Sequence, residues 1–132
     1  MTSPDRSAAI TGVGQIAINV KDLDRAVAFY RDTLGMRYLF PIPNAAFFDC
    51  GGIRLMLGRA ETPELDHAAS IIYYRVDDIE ATCAMLAGAG VTIEHAPSLV
   101  ARMPDHDLWM AFFHDTEGNM LALMSEVRGP QL

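Results

Sequence analysis

The side chains best suited to proton transfer are two histidines in one stretch of the second half of the chain. His95 and His106 bound the segment HAPSLVARMPDH, which also contains Arg102, and Trp109 follows shortly after it. Histidine can act as a general acid or base near neutral pH, and an arginine nearby can hold an anionic group. Acidic residues on both sides of His106 make a solvated surface cluster the alternative. Trp109 is as consistent with a core position as with a pocket wall.

Covalent catalysis by a nucleophilic side chain finds no support in the sequence. Neither Cys50 nor Cys83 has a basic residue next to it, and there is no GxSxG motif. Both cysteines lie in apolar stretches without a CxxC or Cys/His spacing, which indicates buried free thiols in a reducing compartment. We therefore expect a cytoplasmic protein.

Charge and hydropathy exclude two classes of partner. The 132 residues include 17 Asp and Glu against 10 Lys and Arg, for a formal net charge of -7. An acidic surface without basic runs repels nucleic acid. The uncharged run from Tyr38 to Phe48 contains two prolines, and no uncharged run exceeds 14 residues, fewer than the roughly 20 apolar residues of a membrane span. Neither nucleic acid nor a membrane is expected as a partner.

The elements that position these residues come from an internal repeat. IAINVKDLDRAVAFY from Ile16 matches IYYRVDDIEATCAML from Ile72 with an offset of 56, and FFDCGGIRLML is echoed by FFHDTEGNMLALM. In each copy an alternating strand, 15–20 or 71–76, precedes a helix that Asp22 or Asp78 would cap. The longer second copy carries a proline-containing loop from His95 to Trp109. Three further strands are predicted per copy, at about residues 37–42, 45–50 and 53–58, and 92–95, 108–114 and 119–126.

A tandem pair of βαβββ units resembles the vicinal oxygen chelate superfamily, which includes glyoxalase I, extradiol dioxygenases, and bleomycin- and fosfomycin-resistance proteins. The resemblance rests on VKDLDRAVAFYRDTLGM in the first copy and FFHDTEGNMLALMSE in the second. It implies an α+β fold of two tandem βαβββ modules whose curved mixed sheets form a cleft, and it implies a homodimer. The expected organisation is a disordered lead over residues 1–11, modules over 12–58 and 69–126, a linker over 59–68 and a tail over 127–132.

The metal-dependent members of this superfamily take four ligands from the first and last strands of the two units. Those positions correspond here to Gln15, Met56, Ile71 and Ala122. Divalent metals that polarise oxygen substrates prefer imidazole and carboxylate ligands. Only Gln15 offers a suitable oxygen, so no metal and no other cofactor is expected. The alternative is a divalent metal at a displaced site that uses histidines among His67, His95, His106 and His114.

Strand alternation predicts which side chains face the cleft. If Ile16, Ile18 and Val20 pack beneath the first helix, the residues that alternate with them face the cleft. The same alternation applies to the predicted strands 53–58, 71–76 and 119–126. The predicted pocket is apolar and rich in methionine. Methionines there are also typical of core packing, and Arg75 could instead pair with an acidic residue. With the loop residues, the candidate ligand-binding set is Gln15, Asn19, Arg54, Met56, Tyr73, Arg75, Arg102, Trp109, Met120 and Ala122.

These observations predict a glyoxalase or bleomycin-resistance-type protein with a degenerate metal site that binds a small organic molecule in its cleft. The alternative is a lyase, isomerase or dioxygenase of the same superfamily, with a displaced metal or metal-free acid/base chemistry. In that case His106, His95 and Tyr73 are the catalytic candidates. A third hypothesis is a protein whose own side chains fill the cleft and which acts through partners.

Overall fold

The computed structural model describes residues 10–68 and 70–129. The predicted lead over residues 1–11 and the predicted tail over residues 127–132 fall partly outside these ranges. Within them the chain forms two four-stranded mixed sheets, each with a helix on one face, in the predicted α+β arrangement of two βαβββ units. No helix in this part of the chain is both long and apolar enough to cross a membrane.

The first module matches the sequence prediction strand by strand. It consists of β1 (Gln15–Asn19), α1 (Leu23–Ala28), β2 (Arg37–Ile42), β3 (Ala45–Cys50) and β4 (Ile53–Gly58). A π-helical segment, Phe29–Thr33, continues α1. The sheet order is β1-β4-β3-β2, with β1 parallel to β4 and the other pairs antiparallel. The two parallel strands therefore lie side by side, and their cleft-facing side chains are neighbours.

The second module repeats this topology with two differences from the prediction, and one of them is that its first strand spans three residues rather than residues 71–76. Its elements are β5 (Tyr73–Arg75), α2 (Ile79–Gly88), β6 (Ile93–Arg102), β7 (Asp107–His114) and β8 (Met120–Val127), in the order β5-β8-β7-β6. The predicted loop from His95 to Trp109 is wrong, because most of it is a long β6–β7 hairpin. The register shifts between His95 and Ser98. Pro97 has no N–H to donate there, and a bulge allows the pairing to resume beyond the proline.

Both helices begin at the predicted caps. The carboxylate of Asp22 accepts a hydrogen bond from the Arg25 backbone N–H at 3.1 Å, and Asp78 does the same for Ala81 at 3.0 Å. Each bond satisfies one of the N–H groups that a helix leaves without a partner at its start. Gly35 and Gly90 follow the helical segments with φ of 71° and 87°, a conformation that favours glycine.

One hydrophobic core joins the two modules. Residues from both helices and both sheets belong to a single cluster of buried side chains, in which Tyr30, Phe48 and Phe113 are among the largest. The strands contribute alternate residues to it, as predicted: Ile18, Leu55, Leu57, Leu121 and Leu123 are all buried there. The other face of each sheet is therefore free to build a site.

A polar turn between β7 and β8 ties the second module to the first. The buried carboxylate of Glu117 accepts hydrogen bonds from the backbone N–H groups of Lys21 and Asp22, at 2.8 and 2.7 Å, and from Arg25 Nε at 2.8 Å. Burial alone would raise the pKa of Glu117, but these bonds and one from Thr116 outweigh it and lower the pKa from 4.5 to about 2. Glu117 is thus held as an anion at the start of α1, where the helix dipole favours negative charge.

Asp115 in the same turn is a second anchor. Its Oδ2 accepts from the Tyr30 hydroxyl at 2.8 Å and from Asn119 Nδ2 at 2.9 Å. Its Oδ1 accepts from the backbone N–H groups of Glu117 and Asn119, both at 2.8 Å. Burial, reinforced by the Asp115 charge, raises the pKa of the Tyr30 phenol, so Tyr30 acts as the donor across the module boundary.

Candidate ligand-binding cleft

The face of the first sheet that points away from the core presents rows of side chains across the strands. One row pairs Gln15 on β1 with Arg54 on β4. The next row runs Ala17, Met56, Phe47 and Phe40 from β1 to β2, and the third runs Asn19, Gly58, Ala45 and Ile42. Polar groups therefore lie at one end of this face, and a mostly apolar surface occupies its middle.

A cavity of about 280 Å³ opens over the apolar part of this face. Ala17, Met56 and Gly58 line it from the central strands. The β2–β3 turn and the linker after β4 line it from the sides, and the remaining lining residues are Asn19, Ile42, Pro43, Asn44, Ala45, Arg59, Ala60, Glu61, Leu65 and His67. All of these residues belong to the first module and the linker. A concave apolar site with a few polar groups is typical of small-molecule binding.

Asn19 holds the linker wall in place. Its Nδ2 donates to the backbone carbonyls of His67, at 2.9 Å, and of Leu65. The linker makes a short 3-10 turn at Pro63–Leu65 before it reaches these carbonyls. Asn19 is predicted to orient a ligand, whereas in the structure the hydrogen bonds donated by its amide group hold the linker that lines the cavity.

Gln15, Arg54 and Met56 form a connected cluster next to the cavity. Arg54 Nε donates to Gln15 Oε1 at 2.8 Å, and Gln15 Nε2 lies 3.7 Å from the Met56 sulfur. The Arg54 guanidinium also lies over the Phe47 ring, 5.3 Å from the ring centroid, within the range of a cation–π interaction. Within the described residues, no carboxylate lies within ion-pair distance of Arg54.

The four positions that the resemblance assigns to metal ligands carry few donor atoms. The Gln15 oxygen already accepts a hydrogen bond from a guanidinium, and Met56 offers only a thioether. Ile71 and Ala122 have no donor atom, and the Ala122 side chain is fully buried. Across residues 10–68 and 70–129, no group of three or more His, Cys, Asp and Glu side chains is close enough to hold a metal ion. This donor set does not fit a divalent cation that prefers nitrogen and carboxylate ligands.

The second sheet presents an aromatic row on its corresponding face. Tyr73, Ala122, Phe112 and His95 are neighbours across β5, β8, β7 and β6. The rings of Tyr73 and His95 both meet Phe112 edge to face, with centroids 5.9 and 5.8 Å apart. Two of the three catalytic candidates, Tyr73 and His95, thus lie on one face with a phenylalanine between them.

Arg75 occupies the neighbouring row with Met124. It makes no ion pair within 4 Å in the described ranges, although Asp77 and Glu126 line the same surface depression. Met120 pairs with His114 at the start of β8, in the row on the other side of Ala122.

The remaining candidates lie on the β6–β7 hairpin. Arg102 pairs with Asp107 at 3.4 Å across its end, and both side chains are exposed. His106 contacts Asp105 at 2.7 Å, and hydrogen bonds from Arg128 and His106 lower the pKa of Asp105 to about 2. Trp109 lies on the core side of β7 and packs against the hydrophobic cluster. The structure does not bring these three residues together with the cavity over the first sheet.

Two parts of the site escaped the sequence analysis. The sequence predicts residues 59–68 only as a connection between the modules, and it predicts Phe47 only as part of a strand. The alternation of β3 does carry a signal for Phe47, since Ala46 and Phe48 lie in the core and their neighbour must face the cleft. The linker carries no comparable signal, because its position depends on backbone carbonyls held by Asn19.

Comparison with known proteins agrees with this architecture. The model of the Glyoxalase/Bleomycin resistance protein/Dioxygenase superfamily matches residues 12–123. A glyoxylase-like domain-containing protein from Didymella fabae is 29% identical over 84% of this chain and 91% of its own length.

Solved structures share the fold. A member of the Glyoxalase/bleomycin resistance protein/dioxygenase superfamily from Sphaerobacter thermophilus superposes with a TM-score of 0.71 and 26% identity, over 89% of this chain and 98% of that one. A lactoylglutathione lyase from Agrobacterium tumefaciens superposes with a TM-score of 0.67 and 24% identity, over 88% and 94%. At 24% identity the second likeness concerns the fold alone.

Proposed function

The chain belongs to the glyoxalase/bleomycin resistance protein/dioxygenase superfamily, and on this premise we propose that it binds a small organic molecule over its first sheet without a metal ion. The observation that carries the proposal is the cavity of about 280 Å³ whose centre is Ala17, Met56 and Gly58. A methionine at its floor can adapt to the shape of an apolar ligand. The donor set at the superfamily metal positions supports the metal-free part, since one usable oxygen cannot hold a divalent cation.

Filling the cavity should abolish binding. We expect compounds from a panel of small aromatic molecules to raise the thermal midpoint of the native chain, and Ala17→Phe to weaken their binding more than tenfold, because the new ring occupies the cavity. A ligand at a hundredfold excess over its Kd stabilises the folded chain by about 2.7 kcal/mol, which thermal unfolding detects. The measurement is made in excess EDTA.

Ala84→Phe is the matched control, because Ala84 is exposed on α2 and does not line the cavity. It should leave binding unchanged. Equal binding by the Ala17→Phe variant would show that the compounds bind elsewhere. Binding that disappears in EDTA and returns with one metal would overturn the metal-free part of the proposal.

We also propose that two copies form a homodimer through the exposed apolar parts of the sheets. Phe40 on β2 is 44% exposed, and Ile71 and Tyr73 in the second module are 42% and 44% exposed. Large apolar side chains exposed in this density on one soluble domain are typical of an interface. A second copy is the occupant favoured here, because the two modules repeat one topology and can cover each other symmetrically.

Sedimentation should give twice the chain mass of 14.5 kDa. Phe40→Asp is expected to shift the protein to monomer, because it places a charge in the apolar interface. Met85→Lys should remain dimeric, since Met85 is 50% exposed on α2, outside the proposed contact. A native chain that sediments as a monomer at all concentrations would contradict the dimer.

A further inference from the structure

Arg54 supplies a fixed positive charge next to Gln15, one of the four positions that the resemblance assigns to metal ligands. The superfamily position Gln15 directs its oxygen to Arg54 Nε at 2.8 Å. A divalent ion beside Gln15 would therefore meet a neighbouring guanidinium and compete with it for the same oxygen. The Arg54 charge disfavours a cation beside Gln15 and favours an anion.

The guanidinium is held in a defined orientation. Its Nε is committed to Gln15, and the Phe47 ring lies 5.3 Å below it. The two terminal nitrogens make no hydrogen bond within the described residues, and the side chain is exposed on the cleft face. A guanidinium edge with two parallel N–H groups matches the two oxygens of a carboxylate. Because the side chain is already ordered, little conformational freedom is lost on binding.

Nearby acidic side chains do not neutralise this charge. Asp49 is the cross-strand neighbour of Arg54, but it makes no ion pair with it and instead accepts from the Gly52 backbone N–H at 3.1 Å. Arg59 also lines the cavity, yet its side chain makes no hydrogen bond in the described ranges that would orient it. Arg54 is therefore the better prepared of the two cations.

The charge and the cavity are within reach of one small molecule. Arg54 and Met56 lie two residues apart on β4, about 6.6 Å along the strand, and Met56 lines the cavity. We propose that the ligand is an aromatic or aliphatic carboxylate, whose anionic group pairs with Arg54 while its apolar body lies over Met56 in the cavity. This inference rests on the proposed function, since it names the class of molecule that the cavity binds.

Cinnamate and its neutral amide, cinnamamide, provide the test, because they have the same shape and differ in charge. In EDTA, the native chain should bind cinnamate at least about tenfold more tightly than cinnamamide. Arg54→Gln should remove this preference by weakening cinnamate at least tenfold and leaving cinnamamide unchanged. Added salt should weaken cinnamate binding to the native chain, because an exposed ion pair is screened.

Arg37→Gln is the charge-matched control. Arg37 lies in the same cross-strand row, beyond Asp49 on β2, and its loss should leave both affinities unchanged. Equal binding of the two probes by the native chain, or a preference that survives Arg54→Gln, overturns the carboxylate and leaves binding in the cavity standing. No binding of either probe up to millimolar concentration overturns both proposals. Loss of both probes in Ala17→Phe places them in the cavity.

Discussion

Replacing Glu117 with glutamine is expected to lower the free energy of unfolding by about 3 kcal/mol. The native carboxylate is fully buried and accepts four hydrogen bonds, two of them from the backbone at the start of α1. A glutamine amide would direct its NH₂ group toward donors on one side and would leave Arg25 without a countercharge. Urea unfolding, followed by the fluorescence of Trp109, measures the loss.

The pH dependence gives a second measure of the same group. The folded pKa of Glu117 is about 2, below its ordinary value of 4.5. The stability contributed by the carboxylate is therefore fully present above about pH 4.5 and is lost as the pH falls toward 2. Between about pH 4.5 and pH 2, the free energy of unfolding of the native chain should fall. For the Glu117→Gln variant it should fall by about 3 kcal/mol less.

Glu64→Gln is the control for this substitution. Glu64 is exposed in the linker turn, so the change should alter stability by no more than about 0.5 kcal/mol. If Glu117→Gln also cost less than about 1 kcal/mol, the turn between β7 and β8 would not be the main polar anchor between the modules.

Asp115→Asn should be nearly as damaging, with an expected loss of about 3 kcal/mol. Each oxygen of Asp115 faces two donors. Whichever way an asparagine amide is turned, its NH₂ group meets donors that have lost their acceptor. Urea unfolding again gives the loss, and Tyr30→Phe alone should cost only about 1 kcal/mol, since it removes a single hydrogen bond.

The double variant separates this contact from a general defect. Tyr30 and Asp115 form a direct hydrogen bond across the module boundary, so the combined loss should be smaller than the sum of the two single losses. Asp49→Asn is the matched control, because Asp49 serves the corresponding turn in the first module with one bond to Gly52. The Asp49→Asn substitution should lower the free energy of unfolding by no more than about 1 kcal/mol. Strict additivity of Tyr30→Phe and Asp115→Asn would contradict the proposed link.

Much of the fold could be predicted because local signals agree with one another. In the first module, Pro43, Asn44 and the Gly51–Gly52 pair separate strands whose bounds match the structure. Asp22 and Asp78 cap the helices as expected. The predicted length of β6 is too short, because a proline usually ends a strand. Pairing with β7 is a long-range contact, and a bulge preserves it beyond the proline.

The sequence predicts only the part of the candidate site that lies on strands, where successive side chains alternate between the two faces of the sheet. Gln15, Arg54 and Met56 were expected to share the cleft face, and they are in contact. Asn19 lies on that face too, but it donates hydrogen bonds to backbone carbonyls of the linker. The linker has no hydrophobic periodicity from which its path could be predicted. Trp109 was ambiguous because its side of β7 depends on a register that the hairpin sets.

The linker that Asn19 holds against the cavity also joins two copies of one structural unit. A segment of this kind tolerates insertion and deletion far better than the sheets do. Its length and composition can therefore change while the hydrophobic core and the β7–β8 turn stay intact. In a duplicated scaffold, this makes the connection between the copies an evolvable element, because a change in the linker alters the wall of the cavity without altering either sheet.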